Sequence, residues 1–77
     1  MVNLKNIWAN TLGVEESEIT DDLTYQALTQ WDSVGHMNLV AALESSFDLM
    51  LEMDEIIGMN SFAKCKEILK KHGAEFE

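Results

Sequence analysis

Residues 31–47 read WDSVGHMNLVAALESSF, and they mark the point where a polar loop gives way to an amphipathic helix. Ser33 stands at this corner, directly after Asp32. A serine in this position is typical of an N-cap, because its hydroxyl can accept a hydrogen bond from a free amide of the first helical turn. The same hydroxyl lies at a surface corner, where another protein could reach it. The pattern predicts a helix from about Val34 to Ser46.

This predicted helix has two different faces. The core face is an apolar stripe with spacing i, i+3, i+4, i+7 and i+11, made of His36, Leu39, Val40, Leu43 and Phe47. A second stripe lies on the opposite side and has polar neighbours; it comprises Val34, Met37 and Ala41, flanked by Asn38, Glu44 and Ser45. An apolar stripe with a polar rim, beginning beside Ser33, indicates a partner-binding surface. The alternative is that one or two exposed apolar residues are ordinary.

Two residues early in this helix need separate interpretation. His36 lies one turn from Ser33, but a catalytic triad would also need an orienting acid and an oxyanion site, and neither is identifiable. We therefore expect a partly buried histidine that is hydrogen-bonded to the preceding connection. Gly35 costs up to about 1 kcal/mol relative to alanine in a helix interior. We interpret it as a tolerated weak spot, the alternative being a close approach by a partner.

The rest of the chain predicts three more helices. The spacing of Leu4, Ile7, Trp8 and Leu12 predicts a first helix that ends at Gly13. Residues 53–57 form a short helical turn. Residues 14–32 form a long polar connection, which we expect to be pinned across the bundle by apolar anchors at Val14, Ile19, Leu23, Tyr25, Leu28 and Trp31. The last helix is capped by Asn60 or Ser61 and ends at Gly73, and residues 74–77 are expected to fray. The prediction is one all-α domain over residues 1–77, with three longer helices, one short helix and a long first loop.

Size and cysteine content limit the function. A 77-residue chain buries only roughly 60–65% of its unfolded surface, which favours a binding or carrying module over a self-contained enzyme. The one cysteine, Cys65, excludes an intramolecular disulfide and a cysteine-based metal cluster, and we expect it in the core. No signal region or membrane span is evident, so we expect a cytoplasmic protein that does not insert into membranes. We expect no metal site and a monomer.

Charge is distributed unevenly along the chain. The formal net charge is −9, and no lysine or arginine occurs between Asn6 and Ala63. That span nevertheless holds 11 of the 14 acidic residues. Such a surface repels phosphate backbones and so excludes nucleic acid as a partner, but it attracts proteins with basic patches. The alternative is that these acids only keep the protein in solution.

Taken together, Asp32-Ser33 before the apolar helix and the landmarks Leu12-Gly13-Val14 and Phe47-Asp48 resemble the acyl carrier protein family over essentially the whole chain. The resemblance implies that Ser33 carries a covalent 4′-phosphopantetheine, transferred from coenzyme A by a phosphopantetheinyl transferase. It also implies a carrier without catalytic residues of its own, which delivers acyl thioesters to ligases, synthases or acyltransferases with basic docking patches. The implied partner contacts are Asp32, Val34, Met37, Asn38, Ala41, Glu44 and Ser45.

Three departures from the family pattern refine this expectation. Trp31, Gly35 and Asn38 stand where fatty-acid-synthesis carriers commonly have other residues. They favour a specialised carrier, serving a polyketide-like or cell-surface-lipid pathway, over one of housekeeping fatty-acid synthesis. Met50, Met53 and Met59 are interpreted as ordinary packing, the alternative being a core that opens around an acyl chain.

Other functions remain open at this point. The nearest uses the same fold and arm for an aminoacyl, D-alanyl or peptidyl cargo. A second alternative is an acidic helical adaptor that carries nothing, with Ser33 as a plain helix cap. A calcium sensor is disfavoured, because no segment has the ligand pattern of an EF-hand loop.

Overall fold

Four α-helices and one short 3-10 turn make up the computed structural model, which describes residues 3–76. The helices are α1 (Leu4–Leu12), α2 (Ser33–Phe47), α3 (Met53–Gly58) and α4 (Phe62–Lys71), and the 3-10 turn spans Glu16–Glu18. No strand forms among residues 3–76, although an isolated antiparallel bridge pairs Thr24 with Ser61. The predicted all-α bundle, with three longer helices and one short one, is confirmed.

The ends of α1 and α4 follow the sequence signals. Gly13 adopts a left-handed conformation with φ of 74°, and its N–H donates to the carbonyl of Ala9. Glycine reaches this conformation without steric cost, so the helix ends where the sequence predicted. At the start of α4, the Ser61 hydroxyl accepts a hydrogen bond from the Lys64 amide at 3.0 Å. Of the two residues proposed as this cap, Ser61 is therefore the one used.

The cap of α2 corrects the sequence interpretation. Asp32 is the N-cap, and its Oδ1 accepts from the Gly35 amide at 2.9 Å. Ser33 is instead the first residue inside the helix. The prediction of Ser33 as N-cap was wrong because aspartate and serine compete for the same role, and aspartate adds a charge that the positive end of the helix favours. The Ser33 hydroxyl is therefore free of a capping role.

The core is centred on Trp8 of α1, which is completely buried. The rings of Trp31 and Phe62 lie edge-on to it, with centroid distances of 4.8 and 5.1 Å. Trp31, predicted as an apolar anchor of the long connection, is itself 0% exposed. Leu39 and Leu43 of α2 are also completely buried, so the predicted core face of α2 does face the core.

The long connection between α1 and α2 is fastened to the start of α4. The Tyr25 amide donates to the carbonyl of Asn60 at 2.9 Å, and the Phe62 amide donates to the carbonyl of Leu23 at 3.0 Å. Asp21 pairs with Lys66, and this hydrogen-bonded ion pair lowers the pKa of the Asp21 carboxyl. These contacts explain how a connection of this length keeps a defined path although its only helical element is the short 3-10 turn.

Gly35 is required by a close approach of the backbone. A Cβ atom at this position would lie 2.2 Å from the carbonyl oxygen of Gln30 and 3.3 Å from a methyl carbon of Leu12. The interpretation of Gly35 as a tolerated weak spot was therefore wrong. The absence of a side chain lets the end of the long connection pass directly over the first turn of α2.

The C-terminal segment is packed where fraying was expected. The Ala74 amide donates to the carbonyl of Leu69 at 3.0 Å, and the Phe76 ring lies 6.3 Å from that of Phe47. Phe76 thereby covers the half-buried Phe47 at the end of α2, and Glu77 lies outside the described residues. Cys65 is buried as predicted, and burial raises the pKa of its thiol to about 12.

Candidate functional site

Ser33 is exposed in the first turn of α2, which is 15 residues long. Its Oγ lies 3.3 Å from the hydroxyl of Tyr25, a residue of the long connection. The start of a helix carries a partial positive charge, because the dipoles of its peptide units add along the axis. A negatively charged group attached to Ser33 would therefore lie at the favourable end of α2.

His36 joins three parts of the molecule beside Ser33. The indole N–H of Trp31 donates to His36 Nδ1 at 3.0 Å. Since Nδ1 accepts, the hydrogen of the neutral ring is on Nε2, which donates to the carbonyl of Ile56 at 2.8 Å. The expected hydrogen bond to the long connection is confirmed. Because both ring nitrogens are used in this way, His36 is a structural link between the connection, α2 and α3.

An apolar cleft opens next to these residues. Its volume is about 160 Å³, and its lining comprises Tyr25, His36, Ile56, Ile57, Met59 and Asn60. Tyr25 and His36 belong to the side that carries Ser33, whereas Ile56 and Ile57 belong to α3. The Ser33 hydroxyl thus meets the lining of this cleft through Tyr25, and Ile56 and Ile57 form its apolar wall.

Several polar contacts hold the α3 wall of this cleft. None of the six residues of α3 is buried. Glu55 accepts from the Glu52 amide at 2.9 Å and contacts the His72 ring at 2.9 Å, and these hydrogen bonds lower the pKa of its carboxyl, the Glu52 amide contributing most. Together with the link from His36 to Ile56, these contacts hold α3, whose partly buried Ile56 packs against the core.

The outer face of α2 is exposed, as its sequence pattern predicted. Val34 is 70% exposed and Met37 is 55% exposed. The same surface includes exposed residues of small or polar character, namely Asp32, Asn38, Ala41 and Ser45. Glu44 differs from them, because it is half-buried and one carboxylate oxygen accepts from the Leu51 amide at 2.9 Å. Part of Glu44 is therefore engaged in holding the loop after α2.

Sequence reasoning missed two features of this region. It gave Tyr25 only as an apolar anchor, although its hydroxyl reaches Ser33. It also treated the methionines around α3 as packing residues, whereas only Met59 is buried; Met50 and Met53 are 80% and 68% exposed. The first feature depends on the path of a loop without periodicity. The exposure of Met50 and Met53 depends on how α3 lies on the core, where none of its residues is buried.

Two other kinds of site have no counterpart in residues 3–76. No group of three or more histidine, cysteine, aspartate or glutamate side chains there is arranged to hold a metal ion. No helix of that part of the chain has the length and apolar character to cross a membrane.

Three features occur together around Ser33. Ser33 offers an accessible hydroxyl, the start of α2 favours a negative charge there, and an apolar cleft lies alongside. In comparison with known proteins, residues 3–65 match a family model described as a phosphopantetheine attachment site.

Proposed function

Because the chain belongs to the phosphopantetheine attachment site family, whose covalent cofactor is 4′-phosphopantetheine, we propose that Ser33 carries this cofactor and that the protein is an acyl carrier. The observation that carries the proposal is the exposed Ser33 hydroxyl in the first turn of α2, which contacts Tyr25 of the cleft lining. In this function the protein holds acyl intermediates and delivers them to enzymes of a fatty-acyl, polyketide-like or cell-surface-lipid pathway.

Attachment uses the Ser33 oxygen as the nucleophile. Ser33 Oγ forms a bond to the phosphorus that bears pantetheine in coenzyme A, and the pyrophosphate P–O bond breaks. Adenosine 3′,5′-bisphosphate leaves, and the hydroxyl proton passes to the transferase or to solvent. When bound, the group supplies a terminal thiol on which an acyl cargo is held as a thioester. The carrier itself contributes positioning, since a tethered cargo reaches its partner enzyme at high effective concentration.

The cleft supports an acyl cargo over an aminoacyl cargo. Ile56, Ile57 and Met59 give it apolar walls, and the charged ammonium of an aminoacyl group would lose water against them. An apolar tail would be favoured by the same burial. Loading the protein with a fatty-acyl ligase and with an amino-acid-adenylating ligase in parallel distinguishes the two, and efficient transfer of the amino acid alone would favour the aminoacyl carrier.

The partner surface in this proposal is the outer face of α2. It comprises Asp32, Val34, Met37, Asn38, Ala41, Glu44 and Ser45. The exposed apolar side chains would contact the partner, and the net charge of −9 would draw in transferases, ligases and synthases with basic patches.

Two measurements test this surface. Met37→Ala should slow cargo transfer with little change in thermal stability. Raising the salt concentration should weaken partner binding. Salt-independent binding would contradict electrostatic docking.

The attachment site is tested by intact mass. Apo protein incubated with coenzyme A and a broad-specificity phosphopantetheinyl transferase should gain the mass of one phosphopantetheine per chain. Ser33→Ala should abolish the gain and leave stability within about 0.5 kcal/mol, since the helix cap is Asp32 and remains in place. Ser17→Ala, in the exposed 3-10 turn, is the matched control and should still be loaded.

Two outcomes would overturn the proposal. If Ser33→Ala is still loaded, another residue carries the cofactor. If the wild-type protein gains no mass with several transferases, the chain is better described as an acidic helical adaptor that carries nothing.

A further inference from the structure

Tyr25 is the side chain that reaches the Ser33 hydroxyl from outside α2. Its hydroxyl oxygen lies 3.3 Å from Ser33 Oγ, and either group can be the donor while both are hydroxyls. The contact joins residues eight positions apart, from the long connection to the start of α2. It therefore depends on the tertiary fold and not on the local geometry of the helix.

The position of Tyr25 is fixed at both its backbone and its ring. Its amide donates to the Asn60 carbonyl at 2.9 Å. Its ring lies edge-on to Trp31, with a centroid distance of 5.7 Å, and to His36, with a centroid distance of 5.6 Å. Trp31 is completely buried and hydrogen-bonded to His36, so the ring of Tyr25 packs against two side chains that are themselves held in place. The hydroxyl is thus held in place before any group is attached.

Attachment of a phosphodiester at Ser33 changes the donor and acceptor roles in this contact. Ser33 Oγ then has no hydrogen, so Tyr25 is left as the only possible donor of the pair. The phosphodiester brings a negative charge and two unesterified oxygens, which accept hydrogen bonds more strongly than a hydroxyl does. The span between Asn6 and Ala63 has no lysine or arginine, so neither residue type competes for the phosphate from the connection or from α2.

On this basis, and resting on the proposed attachment at Ser33, we propose that Tyr25 is a phosphodiester-binding residue. Its hydroxyl donates to the phosphodiester on Ser33 and holds the base of the arm at the edge of the cleft. Tyr25 also lines that cleft. The same residue therefore positions the base of the arm and forms part of the cleft wall. Tyr25 is in this sense a positioning residue for the cofactor.

The direct test is ³¹P NMR on the loaded protein. The phosphorus resonance of wild-type protein should differ from that of the same protein unfolded in urea. In Tyr25→Phe, which keeps the ring and removes only the hydroxyl, the resonance should move most of the way to the unfolded position. Thr20→Val is the matched control, because it removes a hydroxyl of the same connection that bonds Asp22, and it should keep the wild-type resonance.

A second measurement needs no substitution at Tyr25. The chain has one tyrosine, so incorporation of 3-fluorotyrosine labels this position alone. Loading the protein should shift the ¹⁹F resonance, and Ser33→Ala treated in the same way should show no shift. In protein that has gained the phosphopantetheine mass, two results together would overturn the role of Tyr25 while leaving the carrier function intact. The ¹⁹F resonance would not move on loading, and the ³¹P resonance would be the same in wild type and Tyr25→Phe. Absence of any mass gain would instead remove the carrier function and this inference together.

Discussion

The helices α2 and α3 form two sides of the same cleft but are held in opposite ways. In α2, Leu39, Val40 and Leu43 are buried against the aromatic core. In α3 no residue is buried, and Ile57 is 71% exposed. Hydrogen bonds from His36, His72 and its own capping residues hold α3, and Ile56 packs partly buried against the core. The cleft therefore has one well-buried wall, which carries Ser33, and one wall with less buried apolar area, which we expect to open locally at lower free energy.

This difference bears on the proposed carrier function. With the arm attached at Ser33 as proposed, a firm helix would present its base to partner enzymes in one geometry. The opposite wall, which has little buried apolar area, would open locally at lower free energy and so adjust to a cargo with less disturbance of the core.

The largest expected effect is on the core face of α2. Leu43→Ala should lower the free energy of unfolding by about 2–5 kcal/mol, because Leu43 is completely buried and its loss leaves a cavity. Ile57→Ala in α3 should change it by no more than about 0.5 kcal/mol. Urea denaturation followed by circular dichroism measures both. Equal losses in the two variants would show that α3 is as firmly packed as α2.

The second effect concerns glycine in the two helices. Gly35→Ala should cost about 1–3 kcal/mol, because the new methyl group would meet the Gln30 carbonyl oxygen at 2.2 Å. Gly58→Ala at the end of α3 meets no atom within 4 Å and should stabilise by about 0.4–1 kcal/mol. Thermal melts of both variants provide the comparison. A stable Gly35→Ala protein would contradict the tight approach of the connection to α2.

How far the sequence predicts the structure depends on the kind of contact. The bounds of α1 follow from its apolar spacing and Gly13, and the two faces of α2 follow from helical periodicity. The requirement for glycine at position 35 could not be predicted from periodicity, because it depends on how closely the backbone of Gln30 approaches α2. Periodicity describes the faces of a helix but not the path of a loop.

In the candidate site, too, features set by local sequence patterns were predicted, whereas features set by the path of the loop were not. Ser33 was identified from the residues that flank it, and His36 from its place on the core face of α2. The contact between Tyr25 and Ser33 was missed, because it depends on the bonds that fasten the connection to Asn60 and Leu23. Asp32 was missed as the cap because the local sequence offers two good capping residues in succession.

The third prediction is a smaller, pH-dependent effect in α3. Hydrogen bonds from the Glu52 amide and His72 lower the pKa of Glu55 in the folded protein below its ordinary value of 4.5. A lowered pKa stabilises the folded state above about pH 4.5, and this contribution is lost as the pH falls through the folded pKa. Glu55→Gln should therefore be less stable than wild type near neutral pH, and the difference should shrink as the solution is acidified. Denaturation curves at several pH values measure it, and a difference independent of pH would contradict this role for Glu55.

Amide hydrogen exchange tests most directly the claim that Ser33 stands on a firm helix opposite a loosely held one. Exchange followed by NMR in the unloaded protein compares Val40 in α2 with Ile56 in α3, whose amide bonds the Glu52 carbonyl. After correction for intrinsic rates, we predict that Ile56 exchanges at least about a hundredfold faster, equivalent to about 2.8 kcal/mol in opening free energy. Equal protection at the two amides would contradict the account, because α3 would then open only when the whole protein unfolds.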